Sequence, residues 1–408
     1  MKRTCNRLLL LTSFIFLSYT ASGQTTYYSR TDGNWSTAAS WSTDAPDGPA
    51  ASGIPGSAAS VVIAPGDTIT INANNITVTE VEIREGGTLQ IADATSGHDL
   101  GTVSGPGTLN IITNDTDATA FPAGTYSSFL GASGGRVVYS GSGNYTLPAS
   151  PVSYHRLSIS GSGTVSMPDA DLSISDDFSV EGGITVLLSS GTNGNLSIGD
   201  SLYIAGSSTL RLQAGTGRSV TVANDIIVDG TFHASGGGTG IHQLNVSGSL
   251  VNNGTFDMAD AASHYCEVTF SGSSDATISG TGTTTDFYRL TVNKGSSATS
   301  RLEISSGHFS LSGPTHTADK ALVLQNGTLL LRAAHTLTLS TGGGSFTIPA
   351  TAGLQLDHTD AVAEITSASS DLFLAGLLQL TNGTINIGDD LSGTDANAIY
   401  YTTGNAAI

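Results

Sequence analysis

Between Leu172 and Met258 the chain repeats itself every 24 residues. Leu172, Leu196, Val220 and Leu244 share that spacing, as do Phe178, Leu202, Ile226 and Leu250, and Gly182, Gly206, Gly230 and Gly254. Around each leading position the pattern is apolar, any, apolar: Leu172 and Ile174, Leu196 and Ile198, Val220 and Val222, Leu244 and Val246. That alternation makes a short strand with one buried face. A lone unit of this size has nothing to bury the face against, so a fixed period of about 20 to 50 residues requires that successive units stack as a solenoid. Gly, Ser, Asn, Asp and Thr fill the gaps and make turns, and no stripe of helical period intervenes. Each period is therefore one coil of strands and turns. Equivalent residues of neighbouring coils should lie about 4.8 Å apart in parallel register. The expected fold is all-β: a single-stranded parallel β-helix, or β-solenoid, right-handed by the general handedness of strand crossovers.

A solenoid grows by adding coils, so 408 residues fit one long domain. Residues 1–23 read as a secretory signal: Lys2, Arg3 and Arg7 precede the apolar run Leu8 to Leu17, and Ala21, Ser22 and Gly23 are small enough for cleavage before Gln24. Cleavage would remove three of the 14 basic residues and none of the 33 acidic ones, leaving a charge of −22. A surface that acidic excludes nucleic acid as a partner. No later stretch is long and apolar enough to span a membrane. Cys5 leaves with the signal, so Cys266 has no intrachain partner, and the stacked core and backbone ladder must supply the stability.

Residues 24–60 hold both tryptophans, Trp35 and Trp41, and are expected to cap the open end of the first coil. An aromatic platform for sugar is the alternative. Residues 61–112 form a second ladder with a 20-residue step: Ile63, Ile83 and Val103; Ile69, Leu89 and Leu109; Ile71, Ile91 and Ile111. Over 113–156 the register is lost amid Pro122, Gly124, Gly131, Gly134 and Gly135, which reads as an inserted loop or a junction. From 157 to 408 the solenoid resumes, with 24-residue coils over 172–270. Two longer echoes overlie it. Val137 to Gly141 with Tyr154 to Ile159 matches Val268 to Gly272 with Phe287 to Val292, which predicts a larger duplicated unit. Leu322, Leu324, Gly327, Leu329 and Leu331 match Leu378, Leu380, Gly383, Ile385 and Ile387 at an offset of 56. Residues Ile385, Ile387, Asp389 and Leu391 repeat the spacing of Leu172, Ile174, Asp176 and Phe178, and Ile399 to Ile408 reads as a coil cut short, the end expected of a fragment.

Tyr27-Tyr28-Ser29, Gly33-Asn34-Trp35 with Trp41, the run Val62 to Ile71 and the block Tyr288-Arg289-Leu290-Thr291-Val292 resemble large secreted β-helix proteins of the Bacteroidota, including their G8-like N-terminal segments. The resemblance covers most of the mature chain and speaks to architecture and compartment, not activity. It implies export across the outer membrane, often by the type IX route, and a role as a surface or released adhesin-like protein. Such proteins usually end in a small β-sandwich sorting domain, and nothing near Ile408 resembles one.

Several residues could carry chemistry. Asp176, Asp200 and Asn224 share one turn in the 24-residue register, where stacked carboxylates repel unless a cation such as calcium screens them. The competing reading is a ladder of Asp and Asn capping their own backbone, which Asp177 and Asp225, with Ser201 between them, fit better. A polysaccharide lyase also needs a basic residue beside the acids, yet Arg211 and Arg218 share no coil position with that turn. His242 and Cys266 would stack, with His264 two residues from Cys266, offering a soft metal site or a Cys-His pair. Packed core residues explain the same pattern, and no carboxylate orienter is evident. Sequons such as Asn195-Leu196-Ser197 mark surface turns, and the threonine alternation of Thr68 to Ile71 does not persist as an ice-binding face would require. The expected function is thus a secreted or cell-surface stalk of about 15 coils and about 70 Å, non-catalytic and without a resident cofactor, touching surface glycans or other surface proteins. A carbohydrate-binding or polysaccharide-degrading β-helix is the alternative.

Overall fold

The computed structural model describes residues 24–188, 194–213, 215, 217–235, 240–259, 265–313, 320–339, 344–367, 370–388 and 397–401. Over these the chain is a parallel β-solenoid of about 13 turns, and its one helical element is a 3-10 turn at Ala38–Ser40. At about 4.8 Å per turn the rod is about 60 Å long, shorter than the 15 coils expected. In its middle each coil has three faces. Leu172–Ile174 opens a coil on what we term the leading sheet, Phe178–Glu181 continues it on the spine sheet, and Thr185–Leu188 closes it on the trailing sheet. The spine runs the length of the rod, from Gly33–Asn34 to Leu377–Ile387.

The columns follow the repeat. Leu172, Leu196, Val220 and Leu244 pair in succession, as do Phe178, Leu202, Ile226 and Leu250, and all eight side chains are buried. Outward positions between them are polar or half-exposed, so the period-two pattern sorts inside from outside at every strand. In the short coils the spine keeps the 20-residue step through Ile69, Leu89 and Leu109. The sheet that opens those coils does not. Ile63 pairs with Ile83, but Val103 pairs with Val81, a 22-residue step. Gly105 then sits against Ile83, where an added Cβ would lie 2.1 Å from its carbonyl oxygen. A shorter turn before Thr108 recovers the difference, which is why one face alone shows the 20-residue period.

Residues 113–156 contain no break in the spine. Arg136–Ser140 pairs with Thr108–Ile112 on one side and with Arg156–Ser160 on the other. What changes is the number of faces, because the trailing sheet begins here at Tyr145–Thr146. The extra strand obscures the period. Both long echoes are displaced by one face: Arg136–Ser140 lies on the spine and its match Cys266–Phe270 on the leading sheet. Likewise Leu378 continues the column of Leu329 and Leu354, while its match Leu322 pairs with Leu290 on the leading sheet. The echoes repeat a coil's sequence but not its place around the axis.

A single core of stacked aliphatic and aromatic side chains runs from Trp35 to Leu378. At the N-terminal end Trp35 and Trp41 are fully buried, edge to face at 5.0 Å, and Trp41 Nε1 donates to Trp35 O at 2.9 Å. Trp41–Ser42 pairs antiparallel with Thr26–Ser29, which pairs parallel with Ser60–Ile63 and so covers the edge of the first coil. Buried indoles offer no platform for a sugar ring.

Candidate functional site

The corner between the leading and spine sheets gathers the acidic residues. Asp176, Asp177 and Asp200 bring carboxylate oxygens within 4.8 Å of one another, a separation that a hard cation with oxygen ligands at about 2.3–2.6 Å can bridge. Asp177 and Asp200 already have donors: the Ser201 amide donates to Asp177 Oδ1 at 3.3 Å, and the Ser201 hydroxyl donates to Asp200 Oδ1 at 3.2 Å. Asp176 Oδ2 has basic neighbours at ion-pair distance, His155 Nε2 at 3.5 Å and Arg156 Nε at 3.8 Å. Asn224 Nδ2 donates to the same Asp200 oxygen at 2.8 Å, so Asn224 presents a donor to the cluster. The same motif recurs along the rod: Asn195 N to Asp171, Ser219 N to Asn195 and Ser249 N to Asp225, each one coil apart. The first two of these lie at the turn that enters the leading sheet, and the Asp225 bond lies at the acidic corner itself, as the Asp177 bond does; at both turns side chains satisfy the amides of the next coil, which accounts for the Asx pattern without a cation. The stacking of Asp176, Asp200 and Asn224 was legible from spacing. The inclusion of Asp177 was not, because its neighbours one coil away on the rod are Arg156 and Ser201.

The second candidate set is described only in part. His242 and Cys266 do stack, both fully buried, while His264 lies outside the described residues. The Arg218 amide donates to His242 Nδ1 at 3.1 Å, which spends that lone pair. Burial in the core pushes the Cys266 thiol well above its ordinary range, with Glu267 adding to the effect, so the sulfur is a poor nucleophile and a poor metal ligand. Arg211 Nε donates to the Ser235 carbonyl at 3.2 Å, and Arg218 pairs with Asp169 at 3.6 Å, both away from the acidic corner. The basic residues beside that corner are instead Arg156, 3.8 Å from Asp176, and Arg136, which pairs with Arg156 one coil away.

Beside the acidic corner, on the outer face of the spine, is a furrow of about 260 Å³ that sequence reading missed. Its floor is Ser158 and Ser179, which point outward in the strand pattern yet are only 3% and 8% exposed because taller neighbours flank them. Their hydroxyls bond to each other at 2.7 Å. Arg136 bounds one end and Tyr203 the other, with Asp177 and Glu181 along the sides. The Tyr203 hydroxyl donates to Asp229 Oδ2 at 3.1 Å, and that bond raises its pKa. Arg136 lies in the stretch where the repeat was unreadable, and only the pairing of Arg136 with Arg156 and of Val138 with Ser158 places it beside the serine column, two residues from Val138.

Fold and surface together define the class: a parallel β-solenoid rod with a capped N-terminal end and a polar, grooved exterior. Comparison with protein-family models, with curated proteins and with solved structures finds no match.

Proposed function

We propose that the chain is the rod of an exported, surface-displayed protein: a stiff acidic stalk that extends and presents contact surfaces outside the cell. The observation that supports this best is the unbroken spine sheet, which turns a polar, low-charge sequence into a rod without needing a disulfide. Stacked coils resist bending because each is hydrogen-bonded to the next along its whole edge. Export rests on the signal-like residues 1–23, and kinship with secreted β-helix proteins of the Bacteroidota rests on the tyrosine and tryptophan motifs at Tyr27, Trp35 and Trp41. Partners would be surface glycans or other surface proteins, met by side faces of the rod. No catalytic role is assigned.

Expression in the native cell followed by surface labelling and N-terminal sequencing tests this reading. The account expects surface-accessible protein beginning at Gln24 and weaker cell attachment when the protein is deleted. It also expects no new reducing or unsaturated ends when purified protein meets pectins, alginates and glycosaminoglycans. Product release that Asp200→Ala abolishes would make the protein an enzyme and overturn the stalk.

A further inference from the structure

We propose that the furrow between Arg136 and Tyr203 is a binding subsite for one unit of a neutral saccharide chain. This names a partner class for the surface-contact role and rests on that reading for its biological setting, although binding by the purified chain can be measured without it. The shape comes first. On a solenoid face outward side chains normally stand proud, but here two consecutive coils carry serines between Val138 on one flank, whose coil also brings Arg136 to the furrow, and Tyr203 on the other. From the coil of Arg136 to that of Tyr203 the furrow spans about 14 Å along the axis, three steps of about 4.8 Å.

The chemistry of the walls selects the ligand. Among the described residues the guanidinium of Arg136 and the carboxylate of Glu181 make no hydrogen bond or ion pair, though both are partly covered. A hydroxyl-rich ligand both donates and accepts, so it can serve Arg136 with its oxygens and Glu181 and Asp177 with its protons. An apolar ligand would strip water from all three without replacing those bonds. A polyanion would suit Arg136 but meet two carboxylates and a chain of net charge −19. Tyr203 supplies the apolar complement. Its hydroxyl is tied to Asp229 one coil on, which holds the ring in place beside Ile227, and a fixed aromatic surface of this kind packs against the C–H face of a sugar ring at low entropic cost. The floor hydroxyls bond to each other, so they impose no unmet demand on what lies above them.

Calorimetric titration of the purified chain with cellohexaose, xylohexaose, laminarihexaose and mannohexaose, with oligogalacturonate as the anionic arm, tests the assignment. At least one neutral oligosaccharide should bind saturably. Tyr203→Ala and Arg136→Gln should each weaken that binding about tenfold, the loss expected when one good stacking or charge-assisted contact is removed. Tyr265→Ala, on another part of the rod, should leave it within about twofold. Circular dichroism must show each variant folded. If Tyr203→Ala unfolds, Glu181→Gln, which keeps the shape of the wall, provides the same reading. No saturable neutral ligand, preference for oligogalacturonate, or binding indifferent to the furrow variants would overturn the proposal. None of these outcomes touches the stalk reading, which surface labelling and rod length decide.

Discussion

At the level of single residues the solenoid is governed by what fits between one coil and the next. Gly194, with φ of +137°, lies where an added Cβ would be 2.0 Å from Arg218 Nη1, and that guanidinium donates to the Gly194 carbonyl. Gly206 has nothing within 4 Å of the same added atom. Gly194→Ala should therefore destabilise the protein by about 2 kcal/mol or more, through backbone strain and displacement of the Arg218 guanidinium, while Gly206→Ala should stay within about 0.5 kcal/mol. Urea midpoints of the two variants check this, and equal effects would mean that Arg218 is not lodged there. Buried tyrosines set a second residue-level property. Burial pushes Tyr145 and Tyr154 up to about 12, and Tyr139, whose hydroxyl lies 3.2 Å from that of Tyr154, shifts the same way. The fold holds these protons more tightly than the unfolded chain, whose tyrosines titrate near 10. Stability is then full below pH about 10 and falls as pH rises from about 10 towards about 12, by roughly 1.4 kcal/mol per pH unit for each tyrosine. A thermal midpoint that stays level across that window would contradict the burial. Which residues form columns was legible because like residues recur at a fixed step. Where Arg218 and Tyr154 point was not, because a buried arginine or a paired tyrosine leaves no mark on a periodic pattern.

Elements show how the columns tolerate irregularity. On the trailing sheet Phe232, Phe256, Phe287 and Phe309 make a train of rings with centroids 5.7, 5.2 and 5.4 Å apart. Phe256→Ala removes its centre and should cost about 3–5 kcal/mol, the range for truncating a buried aromatic. Within the same core Asn252 replaces an aliphatic residue and its Nδ2 donates to Thr285 Oγ1 at 2.8 Å and to the Thr284 carbonyl at 2.6 Å. The spine step grows from 24 to 28 residues at this coil, pairing Leu250 with Ile278, so the polar pair marks the point where the register changes. Lys294 ties coils together in a different way. It is fully buried, and Nζ donates to the carbonyls of Ser247 and Ser271 at 3.1 and 2.6 Å. Lys294→Met leaves both oxygens without that donor and should cost about 2–4 kcal/mol. Hydrogen exchange should show the loss first in the coils around Ser247 and Ser271, and uniform loosening of the whole rod would contradict a local tie. From sequence the 24-residue coils were readable and the coils on either side much less so. The reason is mechanical. A solenoid accepts a longer or shorter turn on one face so long as the strands stay in register, as the Val81 to Val103 step shows.

For the molecule as a whole, one continuous core with neighbour-only contacts makes stability a sum over coils and their interfaces. Equivalent residues climb the rod by one strand spacing per coil, and the core, the cap and the furrow all depend on that rise. Along the spine Gln90, Asn110, Val138, Ser158, Ser179, Tyr203, Ile227, Val251 and Ser279 pair in unbroken succession. Spin labels at Gln90 and Ile227, six coils apart, and at Gln90 and Ser279, eight apart, give the most direct measurement, by electron-electron double resonance. Backbone separations of about 29 Å and about 38 Å, differing by two strand spacings of about 4.8 Å, are the predicted result. Distances that are equal, or that fail to grow with coil number, would contradict the stacked rod.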